Sequence, residues 1–562
     1  MRNAEFRASH RSAALGTGSD AQSRTESLLG SSSAAPSAAP SDTRGNSRIP
    51  NPESRSRWRT WVAIFAAAAL AAAILAPLQA LPFGRDQAQY AVAAREIGDG
   101  SPAGAVAWSG QPAGMTLWML AARRLAGPLE DDARRAEWLW MTLAALALAM
   151  AAAEWSRQPA AAIPAAVIFA MHCTAGGFTR SLQPAGLALL PLIAAFGFWG
   201  PAGENRTRSR AAAAGLALGV AALFAAAATW AAVVCIACEK WRPGAERPRV
   251  GRDAALLIAF LLAVPALFVA GAFTVGQATA YRALVPTFAA LGFSRPASYS
   301  GTEWLTVLLL AGLVWRTPRR RAAAVPLLLS ALGFALCAEA FGWPGDRALL
   351  FGPLAIGAGV IVAEIAARLE AQTAGNGANR VAAVAVTAVL LFLSPWAGAR
   401  RQWTYFRFYL AGANIVDRGR VFVDPDTSFS YPAVRAISGV LQRRARGRWR
   451  AFVWGAEPGL WHYSGLKPFD NYWNHAALLR ADEWARQDFL GRFRAAPPEF
   501  VVIRKNDRLL PQNGGRRDSQ AALAEFPSFA AALDAEYRLI VDRLDFLIYL
   551  RRDLLSPAEN AP

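Results

Sequence analysis

Long apolar blocks, most of them closed by arginine or by proline and glycine, constrain this chain more than any other feature. They run about 15–25 residues, the length at which a helix crosses a bilayer core. Backbone in lipid finds no water to bond, so such blocks fold as helices that satisfy their own amides. Hydrophobic residues make up 54% of the 562 and charged residues 18%, which excludes a large soluble enzyme.

The first span is Trp61 to about Ala80. Further blocks lie at about 113–127, 137–154, 160–178, 183–200, 211–238, 253–275, 303–316, 323–342, 347–367 and 380–399, giving about eleven spans. Arg55, Arg57 and Arg59 precede the first, which puts the N-terminus in the cytoplasm and the loop after Ala80 outside. Basic residues then recur at even-numbered exits: Arg134 and Arg135, Arg180, Lys240 to Arg252, Arg316 to Arg321, and Arg368. One connection dissents, 200–210, with Arg206, Arg208 and Arg210 on the outer side. The net charge of +19 is thus topological, and no nucleic-acid partner is expected.

The fold class expected is a mainly α polytopic membrane bundle with a C-terminal extracytoplasmic α/β domain. Residues 1–57, rich in Ser, Ala, Arg and Pro, read as a disordered cytoplasmic tail. Residues 58–400 form the bundle, with an outer loop at 81–114, and 401–562 the outer domain. Within that domain 451–454, 500–503 and 546–550 read as strands, and Phe529 to Tyr537 as helix.

Candidate chemistry concentrates in the loop. Asp86 opens a helical pattern that places Gln89, Tyr90, Ala93 and Ala94 on its face. The same Asp, with Gln three residues on, also reads as a capping box. Arg85 and Arg95 lie where topology asks for no basic residue, and arginine grips phosphate with two N–H groups. Arg123 and Arg124 fall at a cytoplasmic end. Arg282 and the adjacent Asp346 and Arg347 lie on other outer connections. Gln183 precedes Pro184, a structural pairing at a helix start. The pair Cys235 and Cys238 lacks a second pair, and His172, His462 and His475 lack ligand spacing, so no metal site is assigned.

Four stretches, in order, resemble the polytopic GT-C glycosyltransferases, and more narrowly the bacterial relatives of protein O-mannosyltransferases and of lipid A aminoarabinose transferase. They are Phe83 to Tyr90 with Ala93 to Arg95 and Gly98 to Gly100, Trp108 to Gly114, Asp346 to Pro353, and the outer-domain segments around Trp454, Tyr463, Pro497 to Val502 and Tyr549 to Arg552. The chain departs from the family in having Gln87 after Asp86, and Gln111 and Ala113 where Lys and Pro are common.

The resemblance implies a multi-pass protein of the bacterial inner membrane. It moves a sugar from a polyprenyl-phosphate carrier to an envelope lipid, glycan or protein at the outer face. Asp86 is then the catalytic residue, as general base or as the group that positions the acceptor, with Arg85, Arg95, Arg282 and Arg347 the donor-phosphate ligands, and Gln87, Tyr90, Gln111 and Asp346 acceptor contacts. No cofactor is assigned, although a divalent metal would suit the leaving phosphate. Two other readings stay open: a non-catalytic scaffold of the same fold, and a binder or transporter of lipid-linked glycan.

Overall fold

The computed structural model describes residues 52–101, 112–175, 181–201, 207–240, 247–274, 321–340, 348–372, 396–411, 422–424, 428–445, 447, 449–469, 478–479, 483–507 and 518–556. Gln111, Arg282, Asp346, Arg347 and His475 lie outside these residues, as do the blocks at 303–316 and most of 380–399.

Helix α1 (Pro52–Leu75) starts inside the segment read as tail. It passes through a 3-10 turn at Ala76–Ala80 into α2 (Arg85–Gly98) and α3 (Ala113–Leu125). The chain then enters α4 (Glu130–Ser156), α5 (Ala162–Ala175), α6 (Pro184–Trp199), α7 (Arg208–Phe224), α8 (Trp230–Lys240) and α9 (Arg247–Thr274). Helices α10 (Arg321–Ala340), α11 (Phe351–Gln372) and α12 (Trp396–Ala411) complete the bundle among the described residues. Four helical stretches there are long and apolar enough to cross a membrane: Arg57–Ala80, Glu130–Ser156, Pro248–Phe268 and Ala348–Ala367.

The expected crossing at 113–127 is not one. Arg134, in the second turn of α4, donates to Leu81 O at 2.8 Å and to Pro82 O at 2.6 Å, and Phe83 N donates to Glu130. The end of α1 and the start of α4 are therefore pinned together on one face, and the described residues between Leu81 and Leu129 begin and end on that face. Helix α3, with 13 residues, is about 20 Å long, short of a bilayer core of about 30 Å. Arg123, Arg124 and Arg134 thus lie on the loop face, not on the opposite one.

A second correction offsets the first. The block at 211–238 is two helices broken at Ala225, whose extended backbone (φ −147°, ψ 111°) ends α7. Gly215 and Gly219 of α7 lie against Leu257 O and Leu261 O of α9, close enough that an added Cβ would sit 2.4 and 2.8 Å from them. Helices α7 and α9 therefore run parallel, and α8 must return between them to the face where both begin. Dropping one crossing and adding one turn moves only the intervening connections. Among these is 200–210: Arg210 bonds Glu154 at the far end of α4, at 2.5 Å, and Gly197 O at 2.8 Å. Arg208 and Arg210, from the one connection that dissented from the charge bias, thus lie opposite the loop, with Lys240 and the start of α9.

The outer domain has the expected strands. A hairpin of β1 (Val423–Asp424) and β2 (Phe429–Ser430) leads into α13 (Tyr431–Arg444) and β3 (Arg450–Trp454). Then come α14 (Gly459–Ser464), β4 (Lys467–Pro468), α15 (Glu483–Ala495), β5 (Phe500–Arg504), α16 (Ser519–Ala522), α17 (Pro527–Glu536), β6 (Tyr537–Arg543) and β7 (Phe546–Arg551). The sheet order is β4-β3-β5-β7-β6, parallel across β4, β3 and β5 and antiparallel beyond. Strands buried on both faces read as continuous apolar runs, as Phe452-Val453-Trp454 and Val501-Val502-Ile503 do. One face packs an aromatic cluster of Phe452, Trp454, Phe489, Phe493 and Phe529. The other, through Ala451, Val453, Val502 and Ile548, continues the core of the bundle.

Candidate active site on the loop face

Helix α2 positions the candidate residues. Its N-cap is Gly84, in extended backbone, so Asp86 is the second helical residue and not the cap. The capping-box reading gives way to a carboxylate in the first turn, where the helix dipole favours it. Tyr90, Ala93 and Ala94 on its face are buried, whereas Asp86 is exposed. Its Oδ2 accepts a hydrogen bond from Gln183 Nε2 at 3.2 Å, and Gln183 Oε1 accepts from the Tyr90 hydroxyl at 3.3 Å. Burial first, and the Asp86 charge second, raise the Tyr90 hydroxyl well above its ordinary range, so it stays protonated.

The turn that carries Gln183 is built by buried charge. Arg134, fully buried, bonds Glu137 at 2.7 Å and Ser181 Oγ at 2.9 Å and lies over the Phe83 ring at 5.1 Å. Glu137 accepts from the amide of Leu182, which has a left-handed φ of 50°. Gln87 is buried and donates to Ser181 O at 2.6 Å. The Gln after Asp86, expected to meet acceptor, thus ties α2 to this turn.

The two loop arginines meet the outer domain. Arg85 pairs with buried Glu457 at 2.5 Å and lies over Phe429 at 5.7 Å. Arg95 donates to Trp461 O at 3.1 Å and Leu466 O at 2.7 Å, and pairs with Glu96 at 3.1 Å. Tyr463 adds a bond to Glu130 at 3.1 Å. Next to it, burial and the charges of Arg95, Arg435 and Arg123 push the His462 imidazole down to about 3.

Two voids flank the site. A small one of about 30 Å³ lies among Phe83, Ala94, Met119, Arg123, Leu129 and His462. A larger one of about 330 Å³ is lined by Ile74, Pro77, Leu81, Thr174, Trp403 and Phe406, almost wholly apolar. Among the described residues no three His, Cys, Asp or Glu side chains converge as metal ligands.

Sequence reasoning read Arg134 as a topological charge, passed over Glu137 and Glu457, and read Gln183 as structural. A signal existed in Arg134 and Glu137, opposite charges one helical turn apart beside an apolar block.

No protein-family model and no curated protein matches the chain. Among solved structures, the crystal structure of ArnT from Cupriavidus metallidurans bound to undecaprenyl phosphate aligns with a TM-score of 0.51 and 17% identity, covering 88% of this chain and 99% of that one. The oligosaccharyltransferase of Archaeoglobus fulgidus in its apo form aligns at 0.45 and 12%, covering 78% and 69%. The same organism's AglB, in complex with an inhibitory peptide and a dolichol-phosphate, aligns at 0.43 and 12%, covering 80% and 70%. Over nearly the whole of ArnT and most of this chain the course of the backbone is shared, and the chain has the fold of that structure.

Proposed function

We propose that the protein transfers a sugar from a polyprenyl-phosphate carrier to a hydroxyl-bearing envelope acceptor, at the outer face of the bacterial inner membrane. The observation that carries this reading is Asp86: an exposed carboxylate in the first turn of α2, on the loop face. ArnT, whose fold this chain shares, was crystallised with undecaprenyl phosphate, which supports a lipid-phosphate donor. The apolar void beside Leu81 gives a lipid tail a place near the loop. Basic residues at Arg210, Lys240 and Arg249, on the face opposite the loop, favour a cytoplasmic side there.

In the reaction Asp86 takes the proton of the acceptor hydroxyl, a general-base contribution of about 10²–10⁴-fold. The acceptor oxygen bonds to the anomeric carbon as the bond from that carbon to the phosphate oxygen breaks. Polyprenyl phosphate leaves, and one displacement inverts the anomeric centre. Arg282 and Arg347 are the proposed phosphate ligands, while Arg85 and Arg95 hold the C-terminal domain to α2. Tyr90, Gln111 and Asp346 are the proposed acceptor contacts. Asp86→Asn abolishes transfer from a polyprenyl-phosphate sugar at unchanged melting temperature; normal turnover by that variant removes Asp86 from the mechanism.

One observation favours a second reading. Gln87 stands where the family has a second acid and is spent on Ser181 O, which suits a scaffold that binds the carrier without turnover. Carrier binding with no product from the wild-type protein selects it.

A further inference from the structure

The hydrogen bonds around Asp86 have a fixed direction, and that direction carries an assignment. An amide side chain has one acceptor end and one donor end. Gln183 turns its Nε2 to Asp86 Oδ2 at 3.2 Å and its Oε1 to the Tyr90 hydroxyl at 3.3 Å. An ionised carboxylate only accepts, so the amide end facing it must be the NH₂. The oxygen end then faces a buried hydroxyl that has a proton to give. Both contacts are made in this one polarity when Asp86 is ionised. If Asp86 is protonated its carbonyl oxygen still accepts from the amide, but the bond loses its charge assistance and weakens, so the amide favours the ionised form.

The backbone of Gln183 is equally constrained. It is the N-cap of α6, its carbonyl accepts from Leu187 N at 3.1 Å, and its side chain makes no cap of its own. The two preceding residues are held by Arg134, Glu137 and Gln87 from α4 and α2. The amide is therefore delivered to Asp86 by a rigid turn, not by a loose side chain on a loop.

We propose that Gln183 is the positioning residue of the Asp86 carboxylate: it holds that group as an acceptor, in the deprotonated form a proton-abstracting residue needs, and Tyr90 sets which end of the amide faces it. This rests on the reading of Asp86 as the base. Among the described residues, Arg85 adjoins Asp86 in the chain and pairs with Glu457, Tyr90 lies one turn on in the same helix, and the Arg134–Glu137 pair holds the turn that carries Gln183. All but the replaced residue are retained in each test protein below.

The test is the protonation midpoint of Asp86, followed by NMR of the full-length protein in detergent with aspartate labelled at its carboxyl carbon. The Asp86→Asn protein identifies the signal. Gln183→Met raises the midpoint by about one pH unit, the worth of one hydrogen bond to a charged acceptor. Tyr90→Phe raises it by less, because the amide remains but can turn. Gln183→Glu raises it most, by setting a second carboxylate against the first. Where transfer is measured, the acid limb of its pH profile moves by the same amounts. A midpoint unmoved in Gln183→Met overturns the proposal, even if that variant is less stable. Absence of transfer by the wild-type protein counts against the base reading of Asp86 alone, since the titration stands without it.

Discussion

Arg134 and Glu137 form an ion pair at 2.7 Å, one turn apart on α4, with side chains 0% and 3% exposed. The pair is a joint and not only a local contact. Through it the end of α1, the start of α4 and the turn before α6 are held together at the base of α2.

Removing one partner leaves the other charge buried without compensation. Arg134→Met is therefore expected to cost about 3–5 kcal/mol, and Glu137→Met a similar amount. The double variant costs clearly less than the sum, because no orphan charge remains. Thermal unfolding in detergent micelles measures all three, and strict additivity refutes the coupling.

The outer domain rests on α2 through Arg85 and Arg95. Glu457→Ala removes the ion pair with Arg85, and Arg95→Ala removes the bonds to Trp461 O and Leu466 O. Both changes loosen the domain while the bundle stays folded. Limited proteolysis reads this as faster cutting between the bundle and the sheet, at unchanged α-helical circular dichroism. The double variant Arg85→Ala/Arg95→Ala exceeds either single one.

Helix α3 stays on the loop face, so a single cysteine at exposed Arg124 labels with a membrane-impermeant reagent from the same side as one at Asp99. A cysteine at exposed Arg157, in the turn after α4, labels from the other side. If positions 99 and 157 share a side while 124 differs, the crossing at 113–127 is restored.

His462 gives an acid-side signature. Its imidazole protonates only near pH 3 in the fold, against about 6.5 unfolded. The unfolded chain thus binds the extra proton between these values, so the contribution to stability falls as pH drops from about 6.5 towards 3. His462→Gln removes this dependence. The wild-type-minus-variant difference in melting temperature grows more negative with acid; a difference flat across pH 4–7 refutes the account.

Much of the architecture was legible because its causes are local. Apolar blocks of bilayer length make helices, and runs such as Phe500 to Ile503 make buried strands, whatever surrounds them. Residues 529–536 sit in α17 as their pattern requires, and Tyr537 begins β6 where β-favouring residues take over. The crossings at 113–127 and 211–238 misled because block length alone does not say where the ends are tied. A helix of 13 residues and one broken at Ala225 look alike on a hydropathy scale.

The sequence by itself determined that this chain is a bundle of membrane-length helices with a small sheet at its end, and it singled out the stretch around Asp86. Only the tertiary structure decided which charges serve that stretch. Arg134 read as a topological charge and is a buried rivet; Arg85 and Arg95 read as phosphate ligands and grip the outer domain; Gln183, nearly a hundred positions from Asp86, is its hydrogen-bond partner. The reason is range. Hydrophobic spacing acts between neighbours along the chain, whereas a guanidinium or an amide acquires its role from whatever group the fold brings within about 3 Å of it.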